Sequence, residues 1–215
     1  MQQQHTIFKE LSETDFDLNK FNDLYNFLSP SNLGGERTIA ICHKKNPTTP
    51  KDLLEIIGET NIIRAGENLY QKCLEKNKKT TLEYCINHQY TLAICRAHRG
   101  YLKELELLNE FKQLGFSAKF ANDELDMNYA IDIVLKYNDL IIGIQLKPIS
   151  YYYATDPHKT TIKQKNKLKM KRFLTYSKSK GYNALTFIVY HGKNGWLINT
   201  PETILEYSKL FNTVS

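Results

Sequence analysis

Two apolar stretches in the second half of the chain carry polar residues at positions that a buried strand normally gives to hydrophobic side chains. Asp132 lies inside the first stretch, and Gln145 and Lys147 lie at the end of the second. Gln145 and Lys147 are two residues apart, so they project from the same face of a strand. The turn dipeptide Asn138-Asp139 lies between the stretches and predicts a hairpin of two adjacent strands. In such a hairpin Asp132 can face the other two side chains, and a buried carboxylate is costly unless it is paired or binds a metal.

These residue types suit the hydrolysis of a phosphodiester bond. That reaction needs a carboxylate to hold a hard divalent cation, an oxygen ligand beside it, and a positive group that positions the attacking water and stabilises the developing charge. We assign the first role to Asp132 and the third to Lys147. The amide oxygen of Gln145 and the backbone carbonyl of Leu146 would complete the protein ligands of a Mg²⁺ ion. The alternative is a structural ion pair between Asp132 and Lys147 with no catalytic role.

A neutral amide at Gln145 contributes no negative charge, so the affinity for metal should fall unless another acid compensates. A helix is predicted to begin at about Arg99, because apolar residues recur along one side of it. Glu104 lies on that apolar side, whereas Glu106 points away. We therefore predict Glu104, rather than Glu106 or Glu110, as the supporting catalytic and metal-binding acid. The alternative is a surface carboxylate whose aliphatic part covers the edge of the apolar face.

Residues 157–200 carry ten lysines and arginines and no aspartate or glutamate, although the whole chain has a net charge of only +6. A solvated helix face normally mixes both signs, so a block of one sign indicates a polyanionic partner such as nucleic acid. The stretch from about Pro157 to Lys180 is predicted to be a helix that ends at Gly181. The residues predicted to contact DNA are Lys159, Lys163, Lys165, Lys167, Lys169, Lys171 and Arg172.

The elements that would hold these residues alternate between strands and helices. The hairpin strands are Ala130 to Tyr137 and Leu140 to Leu146, and two further strands are predicted at Ala184 to Tyr190 and Gly195 to Asn199, after the basic helix. A last helix begins at Thr200-Pro201-Glu202. The order helix, strand, strand, helix, strand predicts an α/β fold with a mixed central sheet flanked by helices.

The first half of the chain is predicted to be helical and carries no catalytic signature. Its helices are expected over Asp15 to Leu28, Thr49-Pro50 to Gly58, Glu67 to Lys76, and Thr80 to about His98. We therefore divide the chain into a helical N-terminal region, residues 1–98, and a catalytic core, residues 99–215. The helical region would serve packing, DNA-sequence reading or dimer contact, and the sequence does not choose among these tasks.

Four cysteines, Cys42, Cys73, Cys85 and Cys95, are not preceded by a secretion signal, so we interpret them as reduced, buried thiols rather than disulfide partners. Cys85 and Cys95 have zinc-like spacing to histidines, but ligands spread along one helix over roughly 20 Å cannot converge on one ion. No apolar run approaches the roughly 20 residues that span a bilayer. The start of the chain has neither a basic segment nor a following apolar stretch. These features predict a cytoplasmic protein without a membrane partner.

The spacing of Asp132, Gln145 and Lys147 resembles the Asp…(Asp/Glu)-x-Lys signature of the restriction-endonuclease-like superfamily. The resemblance implies that the predicted sheet is a restriction-endonuclease-like core. Glutamine in the middle position departs from the signature, which has an acid there.

A closer resemblance covers three segments: Cys95–Glu104, Asp123–Asp132 and Ile142–Pro148. Together they resemble the MjaI family of type II restriction endonucleases. The resemblance implies cleavage within the tetranucleotide CTAG, dependence on Mg²⁺ and a cognate DNA methyltransferase as partner. The site residues that it carries over are Glu104, Asp132, Gln145 and Lys147.

Double-strand cleavage at a short palindrome also has a consequence for assembly. One chain offers one predicted centre, and a double-strand break needs two centres related by the two-fold axis of the DNA. A symmetric site is most simply matched by a symmetric protein, so a homodimer is predicted.

Three other functions stay open at the level of the sequence. The first is a repair, recombination or structure-specific nuclease on the same core, because a fold does not fix the substrate. The second is a DNA-binding protein without catalysis, in which Lys147 and the basic helix only neutralise phosphates. The third is an RNA-binding module in which the run Tyr151-Tyr152-Tyr153 stacks bases, although such a run more often serves packing.

Overall fold

The computed structural model of the chain describes residues 8–11, 37–155 and 157–214. The helix predicted from Asp15 to Leu28 lies outside the described residues. The chain divides between Leu102 and Lys103 into two compact units. Each unit has its own hydrophobic core.

The described part of the first unit is helical, as predicted. Its helices are α1 (Thr38–Lys45), α2 (Pro50–Ile57), α3 (Glu59–Glu75), α4 (Leu82–Tyr90), a π-helix (Thr91–Arg96) and the start of α5 (Ala97–Gln113). Cys73 of α3 packs in one cluster with Cys85 of α4 and with Leu92. Gly66 lets α3 and α4 approach closely, since a Cβ atom there would lie 2.6 Å from the Cα atom of Ile86. All four cysteines are buried thiols, as predicted.

Helix α2 has the predicted boundaries. The Thr49 hydroxyl accepts a hydrogen bond from the Asp52 backbone N–H at 3.1 Å, and the Asp52 carboxylate accepts one from the Thr49 backbone N–H at 2.9 Å. This capping box, with Pro50 in the first turn, fixes the start of the helix. Gly58, with φ of 89°, ends it. Helix α3 begins directly after this glycine, earlier than its predicted start at Glu67.

Two predicted helices form one continuous helical stretch. The expected break at Arg99-Gly100 is wrong, because α4, the π-helix and α5 follow one another with right-handed helical angles at both junctions. Gly100 lies inside α5, where a glycine costs about 1 kcal/mol relative to alanine but does not end a helix. The start of α4 also differs by one residue, since Thr81 rather than Thr80 accepts the capping hydrogen bond.

The second unit is built on one mixed sheet. Its described strands are β1 (Ser117–Phe120), β2 (Ile133–Tyr137), β3 (Leu140–Pro148), β4 (Asn183–Gly192) and β5 (Gly195–Ile198). They lie in sequence order, with β3 and β4 parallel and the other neighbours antiparallel. The remaining helices are α6 (Asp123–Tyr129), α7 (Ile149–Tyr153), α8 (Pro157–Ser179) and α9 (Pro201–Val214). The predicted α/β class is confirmed.

Helices cover both faces of the sheet. On one face Ile142 packs in a cluster with Phe111 of α5 and Ile204 of α9. On the other face Ile141 packs against a cluster that contains Phe173 of α8. Side chains alternate along a strand, so the odd-numbered residues of β3 point to the side of α8. Within the described residues, no helix is long and apolar enough to span a membrane.

Turn residues mark the ends of the predicted elements. Asn138, with φ of 52°, lies in the hairpin turn between β2 and β3, and Gly181, with φ of 80°, follows α8. Thr200 caps α9 and accepts a hydrogen bond from the Thr203 backbone N–H at 3.4 Å. Strand β1 and helix α6 were not predicted from the sequence.

Candidate active site

Asp132 lies at the junction between α6 and β2, one residue before the strand in which it was predicted. Ala130 ends α6 in the left-handed conformation, with φ of 56°, and turns the chain toward the sheet. The Asp132 backbone N–H donates to the carbonyl of Ile144 at 2.7 Å, and the Asp132 carbonyl accepts from the N–H of Ala121 at 2.9 Å. The backbone of Asp132 is therefore fixed from two sides, by β3 and by the residue that follows β1.

The carboxylate of Asp132 is tied to the strand that carries the other predicted residues. Its Oδ2 atom accepts a hydrogen bond from the backbone N–H of Leu146 at 2.7 Å. Leu146 lies between Gln145 and Lys147, so this bond holds the carboxylate beside both of them. The pairing brings together the three residues that the sequence pattern selected.

Gln145 is the polar residue of this group whose side chain is not fully hydrogen-bonded by the described residues. It is 2% exposed, and its Oε1 atom has no hydrogen-bond partner among the described residues. A buried polar atom without a partner costs about 1–3 kcal/mol. An amide oxygen kept in this state, on the strand that binds the Asp132 carboxylate, is available to a cation or to a substrate group.

Lys147 lies two residues further along β3, on the same face as Gln145. The parallel register places Lys147 beside Tyr190 of β4, and Gln145 beside Ile188. The positive charge of Lys147 acts on the carboxyl group of Asp132 and lowers its pKa.

The carboxyl group of Asp132 has a strongly shifted pKa. The pKa is raised from 3.8 to about 7 by all its surroundings together; burial is the largest cause, and the positive charge of Lys147 opposes it. Among the smaller causes, the negative charges of Glu104 and Asp126 raise the pKa, and the hydrogen bond from Leu146 lowers it. A carboxylate in this environment is stabilised by any additional positive charge.

Glu104 is the helix acid whose charge reaches Asp132. Glu106 is exposed and forms an ion pair with Lys103 at 2.6 Å. Glu110 accepts a hydrogen bond from the indole N–H of Trp196. Glu106 and Glu110 have partners of their own, and the role of Glu104 at the site stays a prediction.

Asp126 is a neighbour of the site that the reasoning from the sequence missed. It lies in the short helix α6, and its negative charge acts on Asp132. Asn122 caps this helix by accepting a hydrogen bond from the Leu125 backbone N–H at 2.9 Å. The signal that could have found it is a capping asparagine followed by acids, directly before the strand of Asp132.

The donor set fits a Mg²⁺ ion that is held by few protein oxygens. Mg²⁺ usually binds through one or two carboxylates and keeps several waters. Asp132 offers a carboxylate, Gln145 offers an amide oxygen, and Glu104 adds negative charge. Within the described residues, no group of three or more histidine, cysteine, aspartate or glutamate side chains could hold a metal. A metal site here therefore depends on amide, backbone or substrate oxygens besides the acids.

The basic residues of α8 that were predicted to contact DNA fall into two classes. Lys165, Lys167, Lys171 and Arg172 are exposed. In the second class, the ammonium groups donate hydrogen bonds to backbone carbonyls of the same chain. Lys163 donates to the carbonyls of Tyr152 and Ala154 at 2.8 and 2.9 Å, and Lys169 donates to the carbonyl of Met127 at 2.5 Å. The side chain of Lys159 lies outside the described part of the structure.

Comparison with known proteins identifies one family. Residues 40–190 match the family model described as MjaI restriction endonuclease, which is more than half of the chain. No curated protein and no solved structure gives a significant match. The matched region contains Glu104, Asp132, Gln145 and Lys147.

Proposed function

The chain belongs to the MjaI restriction endonuclease family, and from this premise we propose that it is a type II restriction endonuclease. Its reaction is the Mg²⁺-dependent hydrolysis of double-stranded DNA at a short palindrome, for which CTAG is the first candidate. Its partner in the cell is a DNA methyltransferase that modifies the same sequence.

The observation that carries this proposal is the Oε1 atom of Gln145, which has no hydrogen-bond partner in the part of the chain that the structure describes and lies on the strand that binds Asp132. A structural ion pair between Asp132 and Lys147 would not require a buried amide beside it. The same amide is useful when a cation has to be held next to a phosphate, because its oxygen is a hard ligand without charge.

Each residue has a distinct task in the proposed reaction. Asp132 and Gln145 would hold the cation, and Glu104 would supply the negative charge that Gln145 lacks. The chemistry of a divalent cation at such a site is polarisation of the phosphoryl group and stabilisation of the negative charge that develops on it. Lys147 orients the attacking water and adds a positive charge at the phosphate.

The direct test is incubation of the purified protein with supercoiled plasmid DNA and Mg²⁺, followed by sequencing of the fragment ends. The expected result is a discrete set of fragments whose ends share one short palindrome, and no fragments in the presence of a chelator. A second plasmid without CTAG tests the candidate sequence separately from the nuclease activity.

Two results would favour the other functions. Preferential cutting of branched or nicked DNA over an intact duplex would indicate a repair or structure-specific nuclease. Binding of duplex DNA without cleavage in Mg²⁺, Mn²⁺ or Co²⁺ would indicate a DNA-binding protein without catalysis.

A further inference from the structure

Three tyrosines end the short helix α7, which directly follows the strand of Lys147, and two of them are exposed. Tyr152 is 48% exposed and Tyr153 is 71% exposed. Tyr151 is partly buried. Tyr151 contacts Asn166 and Lys163 of α8, whereas the large ring of Tyr153 remains mostly exposed to water.

The exposed rings are connected to the candidate active site through a buried tyrosine. Tyr190 is 8% exposed and lies beside Lys147 in the register of β3 and β4. Its ring centroid is 5.2 Å from that of Tyr152, at an interplanar angle of 77°. The rings of Tyr152 and Tyr153 are 5.1 Å apart at 89°. Edge-to-face contacts of this kind fix the orientation of a ring while leaving another of its faces accessible.

Lys163 of α8 holds the segment that carries these rings. Its ammonium group donates to the carbonyl of Tyr152 at 2.8 Å and to that of Ala154 at 2.9 Å. It also lies 5.6 Å from the centroid of the Tyr151 ring. The charge of Lys163 is therefore used to order the C-terminal end of α7.

We propose that Tyr152 and Tyr153 form a stacking platform that holds a nucleobase of the DNA substrate next to the scissile phosphate, with Lys163 as its positioning residue. The inference rests on the proposed function and adds a base-contacting subsite to it. A nucleobase is the occupant that the surroundings favour, because α8 presents exposed cationic side chains that attract the DNA backbone. Aromatic side chains stack on any base, since every base has a π face.

The test compares Tyr153→Ala and Tyr153→Phe with Tyr182→Ala in the full chain. Tyr182 is 49% exposed but precedes Asn183 at the opposite end of β4, so it is a matched exposed tyrosine away from the site. The probe is a duplex that contains the sequence found at the fragment ends, with 2-aminopurine beside the cut phosphate. Binding is measured by fluorescence with Ca²⁺ in place of Mg²⁺.

We expect Tyr153→Ala to weaken binding about tenfold and to abolish the change in 2-aminopurine fluorescence. Tyr153→Phe keeps the ring and should behave as the wild type, as should Tyr182→Ala. Lys163→Met should reproduce the loss seen for Tyr153→Ala without changing the salt dependence of binding, and Lys163→Arg should restore binding.

Wild-type cleavage and binding by Tyr153→Ala would overturn the platform and leave the proposed function intact. A changed oligomeric state of Tyr153→Ala, with unchanged DNA affinity, would also overturn it and would identify this surface as a contact between protein chains. A wild-type protein that neither cuts plasmid DNA nor binds duplex DNA would overturn both proposals.

Discussion

At the scale of single residues, the candidate site combines two groups that folding alone does not favour. The carboxyl group of Asp132 has its pKa raised by burial, and Gln145 keeps a buried amide oxygen without a partner among the described residues. Each group costs free energy in the folded protein. The two groups lie next to each other at the hairpin, and a bound cation would lower the free-energy cost of both.

The first prediction concerns the two charged residues of the hairpin. Asp132→Ala and Lys147→Ala should each reduce cleavage of plasmid DNA by about 100-fold or more, because each removes a charge on which catalysis depends. Circular dichroism should show that both variants remain folded. The control is Asp139→Ala, which alters an exposed carboxylate in the hairpin turn and should leave cleavage unchanged. Near-normal cutting by Asp132→Ala or Lys147→Ala would reject the site.

The second prediction concerns Gln145 and separates its effect on the stability of the protein from its effect on DNA cleavage. Gln145→Leu removes a buried oxygen that has no partner among the residues described, so the free energy of unfolding without metal should rise by about 1 kcal/mol. The same variant should lose Mg²⁺-dependent cleavage. Gln145→Glu should retain cleavage and reach half-maximal rate at a lower Mg²⁺ concentration, because the carboxylate adds a negative charge.

Urea unfolding in a chelator and a Mg²⁺ titration of the cleavage rate measure the two effects. A Gln145→Leu protein that is less stable than the wild type would show that the amide has a structural partner. Full activity of that variant would remove Gln145 from the site.

At the scale of secondary structure, the elements with strong local signals were predicted well. The hairpin followed from the Asn138-Asp139 turn and from two β-rich runs, and the end of α8 followed from Gly181. Strand β1 was missed because four residues at the edge of a sheet, Ser117–Phe120, gain their conformation from pairing with β2 rather than from their own pattern. Asp126 was missed for a different reason, since the cap at Asn122 and the acids after it mark a short helix, but its contact with the site depends on how that helix meets the sheet.

The continuous helical stretch from α4 to α5 shows a second limit of prediction from the sequence. Gly100 is a common helix terminator, but here it lies within seventeen helical residues, Ala97–Gln113. The π-helix Thr91–Arg96 has no signature in the sequence, and all but its last residue are buried. Tertiary packing overrides the weak local preference at both places.

The third prediction distinguishes the two classes of lysine in α8. Lys167 and Lys171 are exposed and one helical turn apart, so replacing both with glutamine should reduce the slope of log affinity against log salt by about two units. The matched pair is Lys163 and Lys169, whose ammonium groups bind backbone carbonyls. Replacing this pair should leave the slope unchanged. Equal slopes for the two double variants would contradict the division of these lysines into a DNA-binding class and a carbonyl-bound class.

The fourth prediction concerns pH and helix α4. Burial, and secondarily the charge of Arg96, lower the pKa of His88 from 6.5 to about 4. Between these values the unfolded chain binds a proton that the folded chain does not, so stability is full above about pH 6.5 and falls as the pH drops toward 4. The loss should amount to about 3 kcal/mol. Urea unfolding between pH 4 and 8 measures it, and His88→Phe, which cannot titrate, should flatten the profile. An unchanged profile in that variant would assign the acid sensitivity to other groups.

At the scale of the whole molecule, the family match and the charge distribution bear on different parts of the chain. Residues 40–190 include most of the described first unit as well as the strands of the candidate site. The helical unit is therefore part of what the family model describes. The exposed positive charge of α8 lies in the second unit, which also carries the candidate active site. The predicted tasks of the helical unit, which are packing, reading of the DNA sequence and dimer contact, stay predictions.

The last prediction is that the protein cuts DNA as a homodimer. Each chain carries a single Asp132, Gln145 and Lys147 centre, and two strands of opposite polarity must be cut at symmetric positions. A two-fold dimer places two identical centres in the relation that a palindrome requires.

Sedimentation on a duplex containing the site should give about twice the chain mass of 25.1 kDa, besides the mass of the DNA. Supercoiled plasmid should become linear with little nicked intermediate, because both strands are cut in one binding event. Mixing wild-type chains with an excess of Asp132→Ala chains should convert the product to nicked circles, since most active dimers then hold one working centre. A monomer on DNA, or nicked circles from the unmixed wild type, would contradict the dimer and favour a structure-specific nuclease.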